Sequence, residues 1–214
     1  MSTFPIGAGD ALVIIDVQPD FLPDGPLPVP RGDEVIAPIA RVVARFDTVV
    51  ATQDWHPPGH VSFASSHPGR KPFDTIDLYG APQTLWPDHC VQGTPGARLC
   101  DGLPKADLDL ILRKGTRLDS DSYSAFRENV GPDGHRHPTG LAGFLRERNV
   151  RRVFLCGLAR DVCVRFSALD AAAADFATFV IDDATRAVHP QRRAETDRAF
   201  AEAGVTLVAS DDLL

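Results

Sequence analysis

The chain has 214 residues, 43% hydrophobic and 24% charged, the balance of an ordinary globular protein rather than a disordered or fibrous one. That length suits a single domain over residues 1–214. Lys plus Arg number 22 against 29 Asp plus Glu, a formal net charge of −7; the arginines are scattered with no basic block, so no nucleic-acid partner is expected.

Met1 to Gly9 holds no positive cluster followed by an apolar run, and no apolar stretch approaches the ~20 residues that cross a bilayer. A cytoplasmic location without a membrane partner is expected. Cys90, Cys100, Cys156 and Cys163 form no C-x-x-C pair, so each reads as a reduced thiol, either core filler or nucleophile.

In chain order, Ala11 to Val17 (ALVIIDV) reads as a strand buried on both faces with Asp16 at its carboxyl end. Glu34 to Phe46 reads as a helix, because Val35, Ile36, Ile39, Val42, Val43 and Phe46 recur at three- and four-residue spacing, with Asp33 placed to cap it. Strands are then predicted at Thr48–Thr52 and Leu108–Leu112, a helix near Thr139–Arg148 and a strand at Arg152–Cys156. A helix from about Cys163 to Ala174, a strand at Thr178–Ile181, a helix at Gln191–Ala203 and a strand at Thr206–Val208 complete the series. Strand then helix, repeated, predicts an α/β fold: a three-layer, doubly wound, Rossmann-type parallel sheet with helices on both faces.

Residues 53–105 interrupt this alternation with a stretch rich in Pro, Gly, His and aromatics, and so long a loop in a compact domain is usually functional. In open α/β sheets the ligand crevice lies beyond the carboxyl ends of the strands. Asp16, Asp54, Lys114 and the segment leading to Cys163 should therefore share one rim.

Cys163 follows a strand and a Gly-containing turn and opens a helix, with Asp161 as the expected N-cap. Helix N–H groups there would favour thiolate over a free pKa of roughly 8.5 and could stabilise an oxyanion. A lone cysteine near a helix start is also a common core filler, so its neighbours decide. No histidine lies near it in a strand-end segment, which leaves Asp16 as proton acceptor and Lys114 as the cation that keeps that carboxylate ionised. Asp54-Trp55-His56 offers two ligands that point the same way on an extended segment, and His89 comes from the same long loop; together they suit an open catalytic metal site, while alone the D-x-H pair reads by default as a satisfied surface pair. His60 and His67 read as extra ligands, substrate contacts or solvated residues.

Six segments carry a resemblance: Asp16-Val-Gln-Pro-Asp-Phe21; Gln53-Asp-Trp-His-Pro-Pro-Gly-His60 with Ser62-Phe63; Trp86-Pro-Asp-His-Cys-Val-Gln-Gly93; Lys114-Gly115; Asp121-Ser-Tyr-Ser-Ala-Phe126; and Gly157-Leu-Ala-Arg-Asp-Val-Cys-Val164. In this order they resemble the nicotinamidase/pyrazinamidase branch of the isochorismatase-like hydrolases, from Asp16 through the last strand. The resemblance implies an isochorismatase-like fold, amide hydrolysis of nicotinamide and pyrazinamide through a cysteine thioester, and a place in NAD salvage. It implies a triad of Asp16, Lys114 and Cys163, and one divalent metal, zinc first with iron or manganese as alternatives, on Asp54, His56 and His89. It also implies a pyridine sandwiched by Phe21 and Trp86, Tyr123 in the pocket wall, and an oxyanion hole of the Ala159 and Cys163 amides with a cis peptide before Ala159. Arg160 and Val162 depart from the family pattern, which often has a small polar residue and an aromatic there. The rivals are an amidase of the same fold acting on a carbamoyl or ureido substrate, an isochorismatase, a catalytically silent binding member, and a thiol-redox protein. Homo-oligomerisation is left open.

Overall fold

The computed structural model describes residues 4–213. Its strands are β1 (Asp10–Ile15), β2 (Thr48–Asp54), β3 (Thr75–Leu78), β4 (Ala81–Thr84), β5 (Leu110–Lys114), β6 (Arg127–Val130), β7 (Arg136–Pro138), β8 (Arg152–Leu158), β9 (Ala177–Arg186) and β10 (Thr206–Val208). The α-helices are α1 (Ile36–Val42), α2 (Leu141–Glu147), α3 (Arg165–Ala173) and α4 (Arg193–Glu202). Six strands form one parallel sheet in the order β10-β9-β8-β1-β2-β5.

Side chains alternate across a strand, so a strand covered on both sides must be apolar throughout. β1 obeys this: Leu12 and Ile14 join Ile39, Val42 and Phe46 in one core, while Ala11, Val13 and Ile15 join Leu141, Leu145, Ala168 and Phe200 in the other. The three-layer doubly wound architecture is thus present. Among the described residues no helix is long and apolar enough to cross a membrane.

The element borders differ from the sequence reading in informative ways. The long helix proposed over Glu34–Phe46 is a 3-10 turn at Gly32–Val35, α1, and a second 3-10 turn at Val43–Arg45, and Asp33 lies inside the first turn without capping anything. β9 runs to Arg186 instead of Ile181, and β2 to Asp54 instead of Thr52. Two hairpins, β3–β4 and β6–β7, were not anticipated. The first turns through Tyr79 (φ +57°) and Gly80 (φ +80°), left-handed at both central positions as a tight hairpin requires.

Gly157 is essential to the sheet. Its φ is +103°, and a Cβ there would lie 2.1 Å from the carbonyl oxygen of Ile15 on the neighbouring strand. Only glycine lets β8 pass this close to β1 immediately before the turn that carries Cys163.

Candidate active site

Because the strands are parallel, their carboxyl ends meet along one edge, and that edge carries the charged residues. Lys114 and Asp54 are the last residues of β5 and β2, and Asp16 follows β1 directly, with φ +47°. Cys163 comes from the turn of π-helix at Arg160–Val164 that links β8 to α3. All four are buried. The rim expected from the sequence therefore exists.

Lys114 is its centre. The ammonium lies 2.8 Å from Asp16 Oδ2, forms a very short contact with Asp54 Oδ1, donates to the Ser122 carbonyl at 2.9 Å and sits 3.6 Å from Cys163 Sγ. A sulfur and one oxygen each from Asp16 and Asp54 fall within 4.8 Å of one another. Thr52 Oγ1 donates to Asp16 Oδ1 at 2.6 Å and accepts from the Asp16 amide at 3.1 Å, which fixes the carboxylate.

The electrostatics follow from burial set against charge pairing. Burial raises the Asp16 carboxyl to about 6, with Lys114 opposing. For Asp54 burial acts the same way, but Lys114 and then His56 outweigh it and hold the carboxyl well below the usual carboxylate range. Burial pulls the Lys114 ammonium down, and Asp16 and Asp54 more than reverse that. Burial pushes the Cys163 thiol well up, only partly offset by Lys114. Burial thus opposes the thiolate that helix N–H groups were expected to favour, and a base beside Cys163 gains importance.

Asp161 does not cap the helix that follows. Its two carboxylate oxygens accept from the amides of Val188 and His189, each at 2.9 Å, and so tie the cysteine turn to the segment after β9. Arg160, next to it, is buried and pairs with Asp182 at 2.8 Å and Asp197 at 2.6 Å. The Leu158–Ala159 peptide is cis.

Asp54, His56 and His89 converge, with His56 Nε2 and His89 Nε2 at 3.6 and 3.8 Å from Asp54 Oδ2. The other ring nitrogens face carbonyls: His56 Nδ1 is 2.9 Å from Gly115 O and His89 Nδ1 is 2.7 Å from Pro87 O. A carbonyl only accepts, so each Nδ1 donates to it and each Nε2 is turned to the shared space. A carboxylate and two imidazoles oriented in this way fit a divalent ion with coordination positions to spare. Gly115 makes the arrangement possible, because a Cβ there would lie 2.4 Å from His56 Cε1.

His60 is a supporting residue. It stacks on His56 with ring centroids 4.2 Å apart, and its nitrogens face Ser62 Oγ at 2.7 Å and Ser120 O at 3.2 Å. His67 turns to the Val61 carbonyl at 2.7 Å and does not line the cavity. The cavity over the rim is walled by Phe21, Leu27, Trp86, Tyr123, Val162 and Val188, with Asp54, His56, His89, Asp121, Ala159 and Cys163 also facing it. The three expected aromatics are there. Leu27, Asp121 and Val188 were missed, as was Gln18, whose buried amide clamps Asp54 by accepting from its N–H at 2.8 Å and donating to its carbonyl at 2.9 Å.

The family model described as Isochorismatase domain matches residues 10–212, and the chain belongs to that family. It is 49% identical over 178 residues to the nicotinamidase of Acinetobacter baylyi, covering 83% of this chain and 81% of the relative. It is 40% identical to the nicotinamidase of Escherichia coli, over 94% of this chain and 95% of that one. Among solved structures, the nicotinamidase of Acinetobacter baumanii superposes with a TM-score of 0.92 at 42% identity, over 97% of this chain and 99% of the other. The pyrazinamidase of Pyrococcus horikoshii, determined in complex with zinc, gives 0.75 at 34% identity over 94% and 99%.

Proposed function

We propose that this chain is a nicotinamidase, hydrolysing nicotinamide, and pyrazinamide with it, to the carboxylate and ammonia in NAD salvage. The observation that carries the reading is the convergence of two sets at one cavity: the Cys163 thiol with Asp16, and Asp54 with His56 and His89, joined by the Lys114 ammonium that contacts both carboxylates, so the nucleophile and the ring anchor are different residues. Relatives that bear the nicotinamidase name, at 49% and 40% identity over most of the chain, support it.

Asp54, His56 and His89 would hold one divalent ion, zinc first, and such an ion supplies a Lewis-acidic anchor for a pyridine nitrogen. Phe21 and Trp86 pack the ring, and Tyr123 closes the wall. With the amide carbon over Cys163, Asp16 takes the Sγ proton and the sulfur adds to the carbonyl carbon. The amides of Ala159 and Cys163 meet the oxyanion. Asp16 returns the proton to the amide nitrogen, the C–N bond breaks and ammonia leaves. A water then adds to the thioester, giving one proton to Asp16; the sulfur departs with that proton, and the acid released loses the water's second proton to solvent as nicotinate. Lys114 holds Asp16 and Cys163 in register throughout.

The test is ring dependence. Nicotinamide and pyrazinamide should be hydrolysed readily and benzamide at least about a hundredfold more slowly, because it has the same amide and nearly the same shape but no ring nitrogen to anchor. Equal rates on benzamide and nicotinamide would remove the anchoring role of Asp54, His56 and His89 and favour a carbamoyl or ureido amidase.

A further inference from the structure

Two of the cavity walls have open space behind them. Tyr123 lines the active-site cavity and two neighbouring cavities, and Trp86 lines the active-site cavity and one of these. Packing reaches these rings from some sides only: Phe73 meets Trp86 with centroids 6.0 Å apart and Phe166 meets Tyr123 at 5.3 Å, while a side that faces an open cleft contributes no contacts. Directional bonds therefore share in fixing their position.

Those bonds converge on Gln83 of β4, which is 3% exposed and belongs to none of the recognised sequence motifs. Its Nε2 lies 2.9 Å from Asp121 Oδ2, 2.8 Å from Thr84 O and 2.8 Å from Tyr123 Oη. Carboxylate and carbonyl can only accept, so they fix the amide with its nitrogen inward, and Tyr123 Oη shares one of the two hydrogens. The opposite end is consistent, since Asn129 Nδ2 donates to Gln83 Oε1 at 3.2 Å. Tyr123 Oη in turn accepts from the Trp86 indole nitrogen at 3.2 Å.

We propose that Gln83 is the positioning residue that sets how closely Tyr123 and Trp86 close on the substrate ring, governing affinity and not bond cleavage. The inference rests on the reading of the cavity as a pyridine-carboxamide site. Gln83 touches neither the thiol nor its base. Ground and transition states carry the same ring, so loosening the wall weakens both equally.

The experiment is steady-state hydrolysis of nicotinamide by the metal-loaded protein, with thermal midpoints measured alongside. Gln83→Met should raise KM by about tenfold with kcat within about twofold, the loss expected for one buried hydrogen-bond node. Gln83→Glu sets a second carboxylate against Asp121 and should raise KM further. The swap Gln83→Glu/Asp121→Asn restores the donor–acceptor pair at position 121 but leaves the Thr84 carbonyl facing a carboxylate, so it should lower KM from that of Gln83→Glu without returning it to wild type. An independent readout uses the two tryptophans of the chain: in a Trp55→Phe background Trp86 is the sole indole, and Gln83→Met should speed its fluorescence anisotropy decay. An unchanged KM in folded Gln83→Met, a kcat that falls as far as KM rises, or a swap no better than Gln83→Glu alone overturns the proposal. A wild type that leaves nicotinamide intact counts against the function proposed above, and the anisotropy decay then decides on Gln83, an unaltered decay removing its positioning role.

Discussion

Asp16, Asp54 and Lys114 stand on or directly beyond the ends of parallel strands of the central sheet, whereas Trp86 and Tyr123, which wall the cavity, and Gln83 behind them belong to loops and a short hairpin. The strand-end group is held by the sheet itself and by opposite charges at 2.8 Å in a dry setting. The loop wall is held by side-chain amides and carbonyls with open space behind it. Chemistry that fails when atoms shift slightly is placed on the stiff element, and ring recognition, which tolerates adjustment, is placed on the adaptable one.

Each change below is expected to damage one side of that division and spare the other. The largest effect is that of Cys163→Ala, which removes the nucleophile. Turnover should fall by at least about a thousandfold while folding and nicotinamide binding persist, measured by ammonia release and by calorimetric titration. Normal turnover in that variant would end the cysteine mechanism.

Next is Lys114→Met. It removes the charge that opposes burial at Asp16, so that carboxyl titrates above its wild-type value of about 6, and turnover should fall by about a hundredfold at pH 7. The rise of kcat/KM with pH should begin near 6 in wild type and move upward in the variant; an unshifted limb would detach Lys114 from Asp16.

A smaller effect concerns stability. Asp16 has a folded pKa raised from 3.8 to about 6, so the native state binds its proton more tightly than the unfolded chain does. The cost of ionising it in place is absent below 3.8, grows as pH rises through this window and is complete above about 6. The inactive variant Asp16→Asn avoids that cost. Metal-free, it should be more stable than wild type at pH 8 by on the order of 2 kcal/mol, with the gap closing towards pH 4 in urea titrations. A variant less stable than wild type at pH 8 would contradict the buried-charge account.

The smallest falls on the adaptable side. Asp161→Ala leaves the amides of Val188 and His189 without their acceptor, which should cost about 1–2 kcal/mol of stability and raise KM for nicotinamide a few-fold with kcat nearly held. A collapse of kcat instead would place Asp161 with the strand-end group.

The same division explains what could be read from the sequence. Strand ends announce themselves as apolar runs that stop at a polar residue, and parallel topology then puts Asp16, Asp54, Lys114 and Cys163 on one edge. Asp33 and Asp161 were read as local helix caps because capping is a pattern of neighbours. Asp161 instead bonds amides 27 and 28 residues away, which no local pattern reveals. Gln83 gave no signal, since its partners Asp121, Tyr123 and Asn129 lie up to 46 residues off. The β3–β4 hairpin escaped notice because it turns on Tyr79-Gly80 where Asn-Gly or Asp-Gly would have marked it.

The strand order has a consequence for how the molecule comes into being. β1 lies between β2 and β8, and residues bonded across β1 and β8 stand as much as 143 apart in the chain. During synthesis the most apolar strand is therefore made among the first and stays half-paired until most of the polypeptide exists. Asp16 reaches Cys163 only when β8 docks. Activity is a property of the finished fold, and a chain arrested before β8 exposes one flank of Ala11–Ile15 as an open edge for which chaperones, and other copies of itself, will compete.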